Sequence, residues 1–89
     1  MMYPFLVLDD KTEIVHSEMF SDGRVRVYCE KPVHGDLLSA SCFLPDYQWR
    51  DVDGFTQEEI EYLESIVRNS AHLILRFAKE GGFENASGL

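Results

Sequence analysis

Apolar and polar residues alternate along segments 12–20, 24–31 and 37–44, the period of half-buried strands. From Phe55 to Ala78 the apolar residues recur instead at spacings of three and four, the period of a helix. The change of period predicts an α+β domain, an antiparallel sheet of three to four strands packed against one long C-terminal helix.

Segments 12–20 and 24–31 read as a hairpin about Ser21-Asp22-Gly23, with Gly23 taking the left-handed position of a three-residue loop. That register sets Met19 opposite Val25, Ser17 opposite Val27 and Val15 opposite Cys29 on the core face. It sets Phe20 opposite Arg24, Glu18 opposite Arg26 and His16 opposite Tyr28 on the outer face. The next strand, 37–44, pairs best with Val25 opposite Leu44, Val27 opposite Cys42 and Cys29 opposite Ala40. The run 3–8 is apolar on both faces, so it reads as a further strand whose register stays open.

The helix carries its own boundary marks. Thr56 is a natural N-cap, Glu59 completes a capping box, and Phe55 and Ile60 occupy the positions of a hydrophobic staple. Gly81 and Gly82 supply a left-handed C-terminal cap. Ile60, Leu63, Val67, Ala71, Ile74 and Ala78 form the stripe expected to meet the sheet. Tyr62, Ile66, Leu73 and Phe77 widen the apolar arc beyond the ~100° that one sheet contact needs. The flank therefore calls for cover from a Trp49 loop, from Phe83, from a partner or from a second copy of the chain. Residues 1–83 read as one domain and 84–89 as a frayed tail.

Charge adds a feature to this frame. Of a net charge of −8 over 89 residues, −6 lies in segment 46–64, where seven acids face Arg50 alone. Acids near a helix N-terminus complement the macrodipole and aid solubility. A sharper reading makes Asp46, Asp51, Asp53, Glu58 and Glu61, with Trp49, a patch that meets a protein with a basic surface. The overall charge disfavours nucleic acid. No apolar run reaches the ~20 residues of a membrane span, and no secretory leader is recognisable, so a cytoplasmic protein is expected.

The residues that could carry chemistry are few. Cys29 and Cys42 fall on a diagonal of adjacent strands, farther apart than a disulfide prefers, and read as buried free thiols. His16, His34 and His72 have no ligand spacing, so no metal is expected. Asp51-Val52-Asp53-Gly54 looks like the start of a calcium loop, but the sixth and twelfth positions are then Thr56 and Tyr62, and the match fails. No cofactor is expected. The outer sheet face gathers His16, Glu18, Phe20, Arg24, Arg26, Tyr28, Glu30, Ser39, Ser41 and Phe43. It is open to three readings: a solvated face, a protein contact, or a small metal-independent ribonuclease. In the last, His16 or a glutamate would be the base, with Tyr28, Arg24 and Arg26 around the phosphorane.

From Arg24 onward the order of features resembles a family of small bacterial domains of unknown function. There, a strand with a Pro-His-x-His-Val motif precedes a strand ending in Leu-Pro, and Gly-Phe-Ser/Thr opens a long acidic helix. Segment 25–31, Phe43-Leu44-Pro45 and Gly54-Phe55-Thr56 with Glu59 resemble these parts. The resemblance implies a strand-rich sheet with one helix and a toxin–antitoxin-like gene context. The histidine pair is absent here and Phe77 stands near the position of a late Trp, so no functional residue carries over. The sequence thus favours a small acidic protein-interaction module of antitoxin, immunity or phage-inhibitor type over the ribonuclease alternative.

Overall fold

The computed structural model describes residues 1–81. Five strands, β1 (Met2–Val7), β2 (Glu13–Ser17), β3 (Val25–Val33), β4 (Asp36–Leu44) and β5 (Gln48–Asp53), precede a single helix, α1 (Gln57–Lys79). The strands form one antiparallel sheet in the order β1-β2-β3-β4-β5, so every neighbour in sequence is a neighbour in space. The architecture is α+β, with one strand more than the three to four expected. The additional strand is β5. Only Trp49 of its side chains turns inward strongly enough to leave an apolar mark, so the pattern there is faint. The predicted tail, Phe83 and Gly82 lie outside the described residues.

Helix α1 begins where its sequence signals place it. The Glu59 N–H donates to Thr56 Oγ1 at 3.1 Å, and the Thr56 N–H donates to Glu59 Oε1 at 2.9 Å, closing the capping box. Phe55 and Ile60 are both buried in the core beneath it. At the other end Gly81 takes φ +86°, as a left-handed cap requires. Lys31 on β3 ties the helix entry to the β1–β2 turn, its Nζ lying 3.6 Å from Glu59 and 3.4 Å from Asp10.

The core forms between α1 and one face of the sheet. Val25, Val27, Cys29, Ala40, Cys42 and Leu44 meet Ile60, Leu63, Val67, Ile74 and Ala78, all buried. The β3–β4 register is the one that apolar matching predicts, with Val25 opposite Leu44, Val27 opposite Cys42 and Cys29 opposite Ala40.

The β2–β3 pair departs from prediction. Its three-residue loop is present: the Phe20 N–H donates to the Arg24 carbonyl at 2.8 Å, and Gly23 has φ +84°. Beyond the loop, however, β2 takes up one extra residue. Ile14 lies opposite Cys29, Val15 opposite Tyr28 and His16 opposite Val27. A one-residue slip exchanges the two faces of a strand. Ile14 and His16 therefore point into the core, and Val15 points outward. The Met19 N–H, freed by the irregularity, donates to the Ala78 carbonyl of α1 at 3.2 Å. The expected Glu18–Arg26 pair does not form; Glu18 Oε1 accepts instead from the Tyr3 hydroxyl at 3.2 Å.

Both edge strands are irregular. The β1–β2 register, open in the sequence, sets Tyr3 opposite His16 and shifts between Pro4 and Leu6. The β4–β5 register shifts between Ser39 and Ser41, where Asp51 takes φ +55°. Bulges, Pro4 and the charges of β5 are features that discourage edge-to-edge pairing of sheets.

The wide apolar arc of α1 finds much of its cover within the chain. On one side Phe5 meets Phe77 at 6.3 Å between ring centroids, and Leu8 packs beside it. On the other, Trp49 packs against the core from β5. Leu73 stays 37% exposed, and Tyr62, 58% exposed, lines a groove of about 380 Å³ with Leu6–Asp10. Among the described residues no helix is long and apolar enough to cross a membrane.

Candidate functional site

The acidic segment divides into two groups once folded. Three of its acids are held internally. Asp46, in the β4–β5 turn, lies 3.5 Å from Arg24 Nη2. Glu59 is held by the capping box and Lys31. Glu64 accepts from Trp49 Nε1 at 2.9 Å and from Arg68 Nε at 3.0 Å. These contacts hold the carboxyls of Glu59 and Glu64 below the ordinary glutamate value: the Thr56 backbone N–H is the chief cause at Glu59, and the Trp49 indole followed by Arg68 at Glu64.

The other group is Asp51, Asp53, Glu58 and Glu61. All four are exposed, and among the described residues none forms an ion pair. Asp51 and Asp53 lie on edge strand β5. Glu58 and Glu61 lie in the first two turns of α1, three residues of loop away. Exposed Val52 and Leu37 accompany them, at 45% and 47%. Gly54 makes the sharp entry from β5 toward the helix. It has φ +91°, and a Cβ there would run into the Leu38 side chain.

Two predicted members separate from this surface. Asp46 sits at the other end of β5, roughly 16 Å of strand away. Trp49 is not in a loop but on β5, half-buried opposite Cys42, with its indole N–H committed to Glu64. Of the predicted flank, Ile66 and Phe77 are half-buried in packing, and Tyr62 and Leu73 remain exposed.

The outer sheet face keeps Arg24, Arg26, Tyr28 and Phe43 but loses His16. The imidazole is 0% exposed and lies on the helix side of the sheet, because the β2 slip turns it inward. Its Nδ1 lies 2.8 Å from the Ser17 carbonyl oxygen, and the Tyr3 and Phe5 rings lie 5.7 and 6.4 Å away between centroids. Among the described residues its Nε2 has no hydrogen-bond partner. The face gains two residues that sequence reasoning missed, Gln48 and Arg50. Gln48 stands opposite Phe43 and Arg50 opposite Ser41. Their alternation with Tyr47 and Trp49 was the available signal.

On that face each of two arginines rests on a ring. The Arg24 guanidinium lies 5.0 Å from the Phe43 centroid, and that of Arg26 lies 5.3 Å from Tyr28. Arg26 Nε also donates to Ser41 Oγ at 2.9 Å. At the far end of the same face, Glu13, Glu30, Ser39 and Asp53 are successive partners across β2 to β5, an acidic row.

Cys29 and Cys42 are free and buried, on the predicted diagonal. Burial pushes both thiols up to about 12, with Cys42 adding to the effect at Cys29 and the Glu64 charge adding to it at Cys42. Thiols held so far up are poor nucleophiles at neutral pH. His34 and His72 are exposed. Among the described residues no group of three His, Cys, Asp or Glu side chains is placed to hold a metal ion.

No family model, curated protein or solved structure matches the chain.

Proposed function

We propose that this chain is a small acidic protein-interaction module that regulates or inhibits a partner by covering one of its surfaces, in the manner of antitoxin, immunity or phage-inhibitor proteins. The observation that carries the reading is the set Asp51, Asp53, Glu58 and Glu61, exposed and without an ion pair among the described residues. These four like charges on β5 and the first turns of α1, close together along the chain, suit a basic partner. Complementary charge steers association and sets which partners are rejected. Exposed Val52 and Leu37 add apolar area beside the acids.

The ribonuclease alternative took His16 or a glutamate as general base beside Tyr28 and Arg26; His16 stands on the opposite side of the sheet from them, which leaves that reading only a glutamate. No observation favours that reading over the interaction module.

Cross-linking of lysine-rich neighbours to carboxylates in native-host extract, read by mass spectrometry, tests the proposal. Cross-links concentrated on Asp51, Asp53, Glu58 and Glu61 to one basic protein are expected. Cross-links spread over all exposed acids, Glu18 and Asp22 included, would contradict it.

A further inference from the structure

On a chain of net charge −8, one end of the outer sheet face gathers three arginines, Arg24, Arg26 and Arg50, with an acidic row at the other end. Ser41 sits at the centre. Tyr28 and Arg50 are its partners on either side, Phe43 is its neighbour along β4, and Arg26 Nε bonds its hydroxyl at 2.9 Å. Ser41 is fully buried although it points away from the core, because these longer side chains close over it. The guanidiniums of Arg24 and Arg26 rest over Phe43 and Tyr28, which limits their freedom before any ligand arrives.

Acceptors are scarce among these donors. Gln48 Oε1, a neutral oxygen, takes Arg50 Nη2 at 3.1 Å and Arg24 Nη2 at 3.5 Å. Among the described residues Asp46, itself largely exposed, is the one carboxylate paired with the group, at 3.5 Å from Arg24. Arg24 Nε is shielded from water and has no hydrogen-bond partner among the described residues. Arg24 and Arg50 share one amide oxygen, Arg24 adds a loosely held carboxylate and Arg26 has the Ser41 hydroxyl, so three guanidiniums with five N–H donors each are under-supplied with acceptors.

We propose that this face binds an extended acidic segment of a partner protein, whose carboxylates are taken by Arg24, Arg26 and Arg50. Arg24 and Arg26 are two residues apart on one face, about 6.6 Å along the chain, which matches alternate side chains of an extended peptide. Arginine and aromatic side chains together are the residue types that dominate protein contacts. The acidic row of Glu13, Glu30 and Asp53 bounds the site and repels a peptide that runs past the Arg50 end. A peptide suits this surface better than a nucleic acid for two reasons. The rings of Tyr28 and Phe43 are already covered by guanidinium groups and are not free to stack bases. A polyanion also meets the repulsion of the whole chain, whereas a short acidic segment meets the arginines locally. The arginines are distinct from the set Asp51, Asp53, Glu58 and Glu61, of which Asp53 alone borders the site, and the proposal does not rest on the function proposed for those acids.

The test uses the full-length protein, with acetyl-Glu-Ser-Glu-Ser-Glu-Ser-amide as the probe and the arginine Nε–H resonances as the readout. The peptide is expected to shift Arg24, Arg26 and Arg50 in a saturable way at millimolar concentration. Arg24→Gln and Arg50→Gln should each weaken binding about tenfold, whereas Asp51→Asn should leave it unchanged or stronger. Arg50 is exposed at the sheet edge, so its replacement leaves the fold intact, and Arg50→Lys should restore only part of the affinity. Absence of any arginine shift overturns the proposal. So does binding of inorganic phosphate or a short single-stranded RNA as strong as that of the peptide. Self-association of the free protein that Arg50→Gln abolishes would make a second copy the occupant, and also overturns it.

Discussion

The hydroxyl of Ser17 accepts the main-chain N–H of Arg26 at 3.0 Å and donates to the Glu18 carbonyl at 2.8 Å. One side chain thus stands in for a ladder carbonyl where β2 takes up its extra residue. Through it the hairpin keeps its three-residue loop while Ile14 and His16, rather than Val15 and Ser17, face the helix. Ser17→Ala should leave the Arg26 N–H without its acceptor and lower stability by about 1–3 kcal/mol. The denaturant midpoint measures this, with an unchanged m-value showing that the fold is the same.

The inward position of His16 predicts a difference among the three histidines. Diethyl pyrocarbonate should modify His34 and His72 in the native protein and spare His16, which has no exposed surface. Mass spectrometry after unfolding in denaturant should find all three modified. His16→Ala should cost about 2–4 kcal/mol through the cavity left between Tyr3, Phe5 and the sheet.

Gly54 is the most constrained link between sheet and helix. Gly54→Ala places a Cβ against Leu38 in a left-handed backbone, and should destabilise the domain by about 1–3 kcal/mol. Pairing it with Leu38→Ala removes the contact but not the backbone cost. The double variant should then recover part of the interaction term without returning to wild-type stability.

Acid should weaken the Trp49–Glu64 link. Glu64 has a folded-state pKa below its ordinary 4.5, and Glu59 shifts the same way. A group depressed on folding stabilises the native state above its unfolded pKa and loses that contribution as pH falls through the folded one. Stability should therefore be level above about pH 5 and decline below it. Glu64→Gln should cost about 1 kcal/mol at neutral pH and flatten the acid decline. The Trp49 indole resonance, followed against pH, reports the same titration in the wild type and should not move in Glu64→Gln.

The fold was legible where residue type alone decides local geometry. Thr56, Glu59 and Gly81 marked the helix, and matching Val25, Val27 and Cys29 to Leu44, Cys42 and Ala40 set the central register. The expectation failed where one side chain could replace a backbone partner. Nothing in the alternation of segment 12–20 distinguishes a ladder that continues from one that slips at Ser17, because Ile14 and Val15 are both apolar and either can face the core. Strand β5 was missed for a related reason, since the bulge at Asp51 breaks its alternation after Trp49. That omission hid Arg50 and Gln48 from the outer face and made Trp49 look like a loop residue. The charge count was correct, but it did not separate acids held by Lys31, Arg24 or Arg68 from those without an ion pair among the described residues.

The interaction-module proposal rests on those last four acids. Its most direct measurement compares the wild type with the Asp51→Asn, Asp53→Asn, Glu58→Gln, Glu61→Gln variant for affinity toward the protein cross-linked from native extract, across a range of salt. The account predicts that neutralisation weakens binding at least about tenfold and flattens its salt dependence. Equal affinity and equal salt dependence in the two proteins would contradict it.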